Sequence, residues 1–530
     1  MARGAAIALV LVLIAIPVAG VLAIVIDPPP AGIGEAPPLD LGAFFGRTEA
    51  DGSYRLGPLP RTLGLALAVC SVAMLLGTSL AWLGARAEYR GRRILTALGL
   101  VPFAVPSYLL GMTHRELFGA ASFHGFWPAV LVLGLATSPF AQVLVGAALA
   151  RLGGSGEEAA RLLGAGPLDV FRRILLPRLR PTLAYAFLLI LLYTISDFGV
   201  VDILDCEVLT WSLFRAFNQQ ALELAAAMGL GLVAIALPLV LAARWLHGRA
   251  APGRGTGQPR PAARVKLSGA PLALAYAIHV VQLGLGVALP AWTLLGWIFP
   301  AAFRPEAWDF GLVPLALEPL ATSLVLAAVT TVVAILLAFI PAWTAARRGL
   351  RGGFVETAIY AGQALPGVLV AFGLFEAILV LSRRVGRSWH DDLRQAGVLI
   401  ALGLGLRFLG QCYGALKAAI LRLDRRQEES ARSLGAAPRR VFLAIQLPSL
   451  RPGLASAALL AALGVVKELP ITLMLLPREI TPLSYRLYGR YTQGNFLEAG
   501  VVGVTMAATA LVLHAVAQSW ARRAGGTART

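Results

Sequence analysis

Residues 428–448 read EESARSLGAAPRRVFLAIQLP and residues 157–177 read EEAARLLGAGPLDVFRRILLP, so one segment occurs twice in the chain. From Glu158 to Pro181 and from Glu429 to Pro452, 15 of 24 aligned positions are identical without a gap. Ordinary residue frequencies would give about two identities by chance. The chain therefore contains an internal repeat, and we name its two copies loop 1 (157–177) and loop 2 (428–448).

Each loop lies between long apolar segments, and the composition of the whole chain fits a membrane protein. Of 530 residues, 58% are hydrophobic and 14% are charged, and the mean hydropathy is +0.74. An average soluble protein has about 25% charged residues. The apolar residues come in runs of about 20, the length with which a helix crosses about 30 Å of hydrocarbon. The sequence predicts an all-α polytopic membrane protein.

Twelve runs qualify as spans, and they divide the chain into two transmembrane domains, 1–246 and 269–530. Between them, residues 247–268 are basic and rich in Pro and Gly, which is typical of a flexible linker. Ala5–Ile26 is uncharged and no small-x-small cleavage pattern follows it, which favours an uncleaved first span over a signal peptide. The predicted spans are 5–26, 62–85, 94–113, 126–150, 182–203, 224–245, 270–298, 319–345, 357–381, 395–417, 453–476 and 499–519.

The net charge of +18 indicates orientation rather than nucleic-acid binding. The basic residues follow spans 2 and 8, lie in both loops and the linker, and end the chain, which places all of these in the cytoplasm by the positive-inside rule. Both termini are then cytoplasmic, and the basic segment 382–394 on the opposite side is an exception. The three cysteines fit neither a metal site nor a disulfide framework.

The repeat extends over both domains. Pro106-Ser107 of span 3 corresponds to Pro366-Gly367 of span 9, and Asp197 corresponds to Glu468. Because each loop lies between the fourth and fifth span of its domain, on the same side, the two six-helix repeats are parallel and related by an axis along the membrane normal.

Each loop has the pattern of two short helices joined by a glycine. Good helix formers end at Gly164 and Gly435, and a second helix would begin near Pro167 and Pro438, since Pro suits a first helical turn. It would stop before Pro177 and Pro448. Such a unit could dock in the groove of a partner protein or lie as an amphipathic helix on lipid, and duplication at matched sites favours a duplicated partner.

The pattern Glu-Ala-Ala, a glycine, then Ile-x-Leu-Pro resembles the "EAA" loop of ABC importer permeases. The resemblance implies a type I permease-like fold in which each loop is a coupling helix received by a cytoplasmic ATPase. Loop 2 has Ser430 in place of one alanine, a sterically small change. The residues expected to couple the ATPases are Glu158, Ala160, Gly164, Pro167, Phe171, Ile174 and Pro177 in loop 1, and Glu429, Ala431, Gly435, Pro438, Phe442, Ile445 and Pro448 in loop 2.

Two further stretches, SDFGVVDIL at 196–204 and KELPITLML at 467–475, look like segments of the fused, double-length iron(III) importer permeases. This resemblance implies one chain that meets two ATPase subunits and one periplasmic or extracytoplasmic binding protein in a bacterial inner membrane. Iron(III) is the substrate it favours. Thiamine, phosphonate, polyamine or another small solute is the alternative.

Charged residues inside the predicted spans are candidates for function. Asp197 and Glu468 lie about 16 residues beyond the proline that opens their span, or roughly 24 Å at 1.5 Å per residue. Intramembrane carboxylates face a cavity or a partner. They could therefore line a pathway or gate together with Pro470, or they could anchor helix breaks. For Glu376 and Arg407 we expect an ion pair between spans 9 and 10.

Sequence patterns for enzymes are missing. No G-x-x-x-x-G-K-[ST] occurs, so this chain lacks that route to ATP hydrolysis. We expect it to bind no cofactor or metal and to leave ATP and Mg²⁺ to its partner subunits. Two rival functions remain: an ion-coupled secondary transporter, which can also have parallel repeats, and a membrane scaffold that only binds a cytoplasmic partner.

Overall fold

The computed structural model describes residues 2–26, 41–48, 54–152, 154–166, 169–250, 264–302, 312–348, 353–385 and 389–526. Two small two-stranded sheets occur there, β1 (Gly46–Thr48) with β2 (Tyr54–Leu56), antiparallel, and β3 (Ala87–Glu88) with β4 (Val265–Lys266), parallel. Three π-helical turns occupy Val170–Leu175, Gly284–Ala288 and Phe442–Gln446. The helices are α1 (Ala2–Ile26), α2 (Leu41–Phe45), α3 (Pro58–Arg86), α4 (Arg92–Leu98), α5 (Val101–Ala104), α6 (Ser107–Phe118), α7 (Phe126–Leu152), α8 (Ser155–Leu162), α9 (Leu176–Ser196), α10 (Gly199–Ile203), α11 (Leu209–Asn218), α12 (Leu222–Ala250), α13 (Gly269–Leu283), α14 (Leu289–Ala302), α15 (Leu312–Arg348), α16 (Phe354–Ala364), α17 (Gly367–Val385), α18 (Trp389–Gln395), α19 (Val398–Leu421), α20 (Arg425–Ser433), α21 (Pro438–Val441), α22 (Leu447–Lys467), α23 (Pro470–Leu475), α24 (Leu483–Thr492) and α25 (Phe496–Gly526).

The prediction of an all-α polytopic membrane protein is confirmed. Within the described part of the chain, ten helices are long and apolar enough to span a membrane, and the number rises to twelve if each of two bent helix pairs counts as one span. Most of the predicted linker, residues 251–263, lies outside the described residues. The part of it that is described extends α12 and forms β4.

The two bent pairs correspond to predicted spans 3 and 9, which are not straight helices. The axis turns by 96° between residues 92–104 and 107–118, and by 104° between 354–364 and 367–385. Val105 and Leu365, which precede the prolines, are extended with ψ of 138° and 135°. A residue before proline avoids the α region, because the proline ring clashes with its backbone. The matched prolines therefore break both helices at equivalent positions.

The described chain folds into two compact units that differ from the two predicted domains. One unit comprises Pro37–Ala216 and Gly231–Phe299, and the other comprises Met1–Ala36, Phe217–Leu230 and Pro300–Thr530. The first helix of each half thus packs in the unit of the other half. In the second unit α1 crosses α17 so closely that a Cβ on Gly20 would lie 2.0 Å from the Gly373 carbonyl oxygen. Small residues permit this approach of helix backbones in lipid.

Polar contacts hold α13 in the first unit. The Tyr89 hydroxyl and His279 Nε2 are 2.7 Å apart, while Nδ1 of this buried histidine has no hydrogen-bond partner among the described residues. The Gln282 amide nitrogen donates to the Gly99 carbonyl at 3.2 Å, and the Ser138 hydroxyl donates to Gln282 Oε1 at 3.1 Å. Hydrogen bonds between helices therefore replace, for α13, the glycine packing that holds α1.

Candidate functional site

Both loops begin with a short helix that ends at a left-handed glycine. In loop 1, Gly164 has φ of +84°, and the Ala165 N–H donates to the Ala160 carbonyl at 3.0 Å. In loop 2, Gly435 has φ of +81°, and the N–H of the next residue donates to the Ala431 carbonyl at 3.0 Å. This 6→1 bond is the Schellman helix end, which favours glycine because L side chains are strained at positive φ. No described atom lies within 4 Å of a Cβ built on either glycine. Conformation, not crowding, therefore selects glycine here.

The tip of each loop presents apolar side chains to its surroundings. Leu162 and Leu163 of loop 1 are both 89% exposed, and Leu434 of loop 2 is 88% exposed. The motif acids Glu158 and Glu429 are also exposed. Pro167 lies outside the described residues. Exposed leucines beside a rigid turn are a surface that a partner protein could cover.

The second segment of each loop is continuous with the span that follows it, contrary to the predicted stop before Pro177 and Pro448. The π-helical turns at Val170–Leu175 and Phe442–Gln446 lead directly into α9 and α22, with both prolines at the start of these helices. A proline has no N–H to donate within a continuous helix, and each of these prolines follows a π-helical turn. As predicted, Pro438 opens the helical segment of loop 2. Ile174 and Ile445 are partly buried within these turns.

An ion pair joins the start of each loop to the end of a long helix earlier in the same half, α3 for loop 1 and α15 for loop 2. Glu157 Oε1 lies 2.8 Å from Arg86 Nη2, with side chains 7% and 5% exposed. The Arg86 guanidinium also donates to the Leu149 carbonyl at 3.0 Å. In loop 2, Glu428 pairs with Arg347 through both carboxylate oxygens. The acid beside the motif glutamate therefore makes the ion pair, while the motif glutamate stays exposed.

An aromatic contact joins the second segment of each loop to the same long helix. The rings of Trp82 and Phe171 meet edge to face with centroids 6.2 Å apart, and those of Trp343 and Phe442 do so at 5.8 Å. Trp82 and Arg86 lie one helical turn apart, as do Trp343 and Arg347. We name each set of four a clamp: clamp 1 is Trp82, Arg86, Glu157 and Phe171, and clamp 2 is Trp343, Arg347, Glu428 and Phe442.

Phe171 and Phe442 were predicted from the loop motif, but the tryptophans, arginines and glutamates of the two clamps were not, although the sequence contains a signal for the tryptophans and arginines. AWLGAR at 81–86 and AWTAAR at 342–347 are identical at four of six positions. Their offset is 261 residues, so they fall outside the ungapped alignment of the loops. Only the fold brings them together with Glu157 and Glu428.

Asp197 anchors a helix break, which supports the structural alternative for this residue. The Ser107 hydroxyl donates to Asp197 Oδ2 at 2.6 Å, and the Val200 N–H donates to Oδ1 at 2.9 Å. The second bond satisfies an N–H at the start of α10. Asp197 thereby ties α6 to the break between α9 and α10. A pathway role for Asp197 stays a prediction.

Glu468 occupies the equivalent break before α23, with Pro470 at its first turn. Gly367 stands where the first half has Ser107, and a Cβ on Gly367 would lie 2.3 Å from Glu468 Oε1. The longer acid therefore fills the space that serine fills in the first half. Like Asp197, Glu468 stays a candidate pathway residue.

The predicted ion pair between Glu376 and Arg407 is not formed. The Arg407 guanidinium instead donates to the carbonyls of Gln363 and Leu365. Both carbonyls lie at the break before Pro366, where the helix no longer provides their partners. Glu376 is 2% exposed and its Oε1 has no hydrogen-bond partner among the described residues.

A cavity of about 510 Å³ lies at the end of α3 opposite its clamp, beside Trp127 and Glu207. Glu207 accepts from Arg55 and Arg61, at 2.5 Å each. Partial burial tends to raise the pKa of Glu207. The hydrogen bonds and charges of the two arginines outweigh burial and hold this pKa below its usual value. The carboxylate is therefore kept ionised where α3 meets the segment before α11.

Comparison with known proteins identifies a family and relatives that match most or part of the chain. Residues 73–255 and 332–524 each match the family described as "binding-protein-dependent transport system inner membrane component". The Fe(3+)-transport system permease protein FbpB 2 of Haemophilus influenzae is 26% identical over 449 residues, which cover 83% of this chain and 85% of that protein. The sulfate transport system permease protein CysT of Salmonella typhimurium is 32% identical, over 31% of this chain and 66% of that protein. CysW of Escherichia coli K12 is 32% identical over 31% of this chain and 60% of its own length.

Proposed function

The chain belongs to the family of binding-protein-dependent transport system inner membrane components and is a fused, double-length ABC importer permease; from this we propose that loops 1 and 2 each receive one cytoplasmic ATPase subunit. One chain then meets two ATPase subunits and, on the opposite side, one solute-binding protein. Both termini lie in the cytoplasm in this arrangement. ATP and Mg²⁺ are bound and ATP is hydrolysed on the partner subunits.

The observation that carries this proposal is the matched geometry of the loop tips. Each loop sets a leucine that is nearly 90% exposed beside a left-handed glycine, Leu163 in loop 1 and Leu434 in loop 2. A secondary transporter would not need two such docking surfaces. A helix that only lies on lipid would not need them either, nor a Schellman turn at its end. Two copies of one ATPase subunit would find two similar sites.

We propose iron(III) as the transported solute. The relative that transports Fe(3+) is similar over 83% of this chain, whereas the sulfate permeases are similar over 31%. Thiamine, phosphonate or polyamine transport has no such support among these relatives. The Fe(3+) permease is also similar to this chain in its layout, because the aligned residues extend over both halves and cover 85% of that protein.

In the proposed cycle, ATP binding draws the two ATPase subunits together, and the loops move with them. The long helices then follow, so that the pathway opens to the binding protein or to the cytoplasm in turn. A ligand shifts such an equilibrium only by its different affinity for the two states. ATP on the partner subunits supplies that difference, and this chain converts it into movement of its helices.

Uptake by reconstituted vesicles tests the function. The chain is purified with its ATPase and incorporated in vesicles with the binding protein outside, and accumulation of radiolabelled iron(III), sulfate and thiamine is measured with and without ATP. We expect iron(III) alone to accumulate, and only with ATP and the binding protein. Accumulation of sulfate would replace the proposed substrate within the same importer class. Uptake driven by a proton or sodium gradient without ATP would show a secondary transporter.

A further inference from the structure

The two clamps tie both segments of each loop to a single helix. In the first half that helix is α3, which holds the first segment through Arg86 and the second through Trp82. In the second half it is α15, through Arg347 and Trp343. Since the left-handed glycine lies between the two segments, the clamp grips the loop on both sides of its turn.

The chemistry of the clamps is suited to transmitting movement. Arg86 and Glu157 are almost fully buried, so their attraction is little screened by water. Arg347 binds Glu428 with two parallel contacts, which fix orientation as well as distance. Arg347 also stacks over Trp343, with its guanidinium carbon 5.0 Å from the ring centroid. A loop held in this way turns and shifts together with the end of the long helix.

We propose that the clamps position the loops against α3 and α15 and that, through these contacts, a movement of each loop displaces its helix. Arg86, Glu157, Arg347 and Glu428 act through the loops and touch neither ATP nor solute. This inference rests on the proposed docking of the ATPase subunits. The added point is that contacts within this chain move α3 or α15 when its loop is displaced. Glu157 and Glu428, which stand next to the motif glutamates, make the ion pairs in these contacts.

The repetition of the clamps argues against accidental packing. The two ion pairs and the two aromatic contacts recur at equivalent positions, in units that share 15 of 24 residues in the loops. Some other loop positions do not recur. Gln446 of loop 2 corresponds to Leu175 of loop 1, and Ser449 corresponds to Arg178. The clamp contacts are therefore kept although 9 of the 24 aligned loop positions differ.

The test replaces a complete ion pair by apolar residues: Arg86→Met with Glu157→Leu. Removing one partner would leave a buried charge, whereas replacing both with apolar side chains is often neutral for folding. The matched control is Arg93→Met, which removes an exposed arginine near the same end of α3. Both variants are purified with the ATPase, and ATP hydrolysis and iron(III) uptake are measured in the same vesicles.

We expect the double variant to fold and to bind the ATPase like the control, but to transport about tenfold less iron(III) per ATP hydrolysed, a loss within the range of coupling changes. Uptake per ATP equal to that of the control would overturn the inference, because it would show that the pair only supports folding.

If the double variant does not fold, Phe171→Leu serves instead, since Phe171 is 38% exposed. The same loss of coupling is expected there, and unchanged coupling would again overturn the inference. If the unaltered chain shows no ATP-dependent uptake, the proposed function fails rather than the clamp.

Discussion

At the scale of single residues, the loops show how one backbone angle can determine a docking surface. Gly164 and Gly435 have open space around them, yet both lie in the left-handed region. Any other residue except Asn or Asp pays a conformational cost there of about 1–2 kcal/mol. The glycines therefore fix the direction in which the chain leaves the helix end that carries Leu163 and Leu434.

Replacing Gly164 and Gly435 by Ala should weaken ATPase binding, because alanine resists the positive φ that the turn requires. Replacement by Asn should retain most binding, since Asn tolerates this conformation. Gly166→Ala is the control, as Gly166 has no positive φ and, among the described residues, a Cβ there meets only Asp169, at 3.9 Å. Co-purification of the ATPase measures the effect. Equal binding by the alanine variants and the control would refute this role of the glycines.

The Ser107–Asp197 contact and the Gly367–Glu468 contact fill the same space in two ways. Gly367→Ser alone should displace the Glu468 carboxylate and lower stability by about 1 kcal/mol, at the low end for overpacking because that carboxylate can move. Gly367→Ser with Glu468→Asp should recover stability, because it recreates the pair of the first half. Gly353→Ser is the control, with no described atom within 4 Å of its Cβ. Thermal unfolding in detergent measures the stability of each variant. A double variant less stable than Gly367→Ser alone would show that a Ser–Asp pair cannot replace the Gly–Glu pair at this break.

Sequence reasoning at this scale succeeded where the constraint is local. The glycine turns and Pro438 follow from rules that involve a few adjacent residues. It missed Arg86 and Glu157 because the pair is created by packing of distant segments. It was wrong for Arg407 because the break at Pro366 frees carbonyls that accept from the guanidinium before any carboxylate does.

At the scale of helices, the ten spans that the described residues form without a sharp bend were predictable from apolar length, whereas the shape of spans 3 and 9 was not. The two helices of each bent pair are together long and apolar enough to count as one span, and each bend lies at a proline, Pro106 or Pro366. The packing of each first helix in the unit of the other half was equally hidden, since hydropathy does not state which helix a span contacts. Its anchors are visible only in the fold, as glycine contacts for α1 and hydrogen bonds for α13.

Gln282→Leu should loosen α13. It removes the bonds to Gly99 and Ser138, and hydrogen bonds between membrane helices contribute about 0.6 kcal/mol each, so a loss of about 1 kcal/mol is expected. Val280→Ala on the same helix is the control, because Val280 is 68% exposed. Thermal unfolding of the purified chain measures both. Equal stability of the two variants would show that the hydrogen bonds of Gln282 do not stabilise the packing of α13.

At the scale of the whole molecule, one chain contains both halves of a permease, and each half has its own loop and its own clamp. The repeat, the family and the membrane location followed from sequence, because the loop motif is specific and occurs twice. The transported solute did not follow from the sequence, because the residues in which related permeases differ do not by themselves identify the solute that each one transports. The central claim is that each loop receives one ATPase subunit.

Native mass spectrometry of the purified complex tests that claim most directly. The account predicts two ATPase subunits on each unaltered chain, and one after Leu434→Asp, because a charge on the exposed tip of loop 2 opposes burial there. Adding Leu163→Asp should remove the second subunit. A single ATPase subunit on the unaltered chain, or two subunits retained after both leucines are replaced, would contradict it.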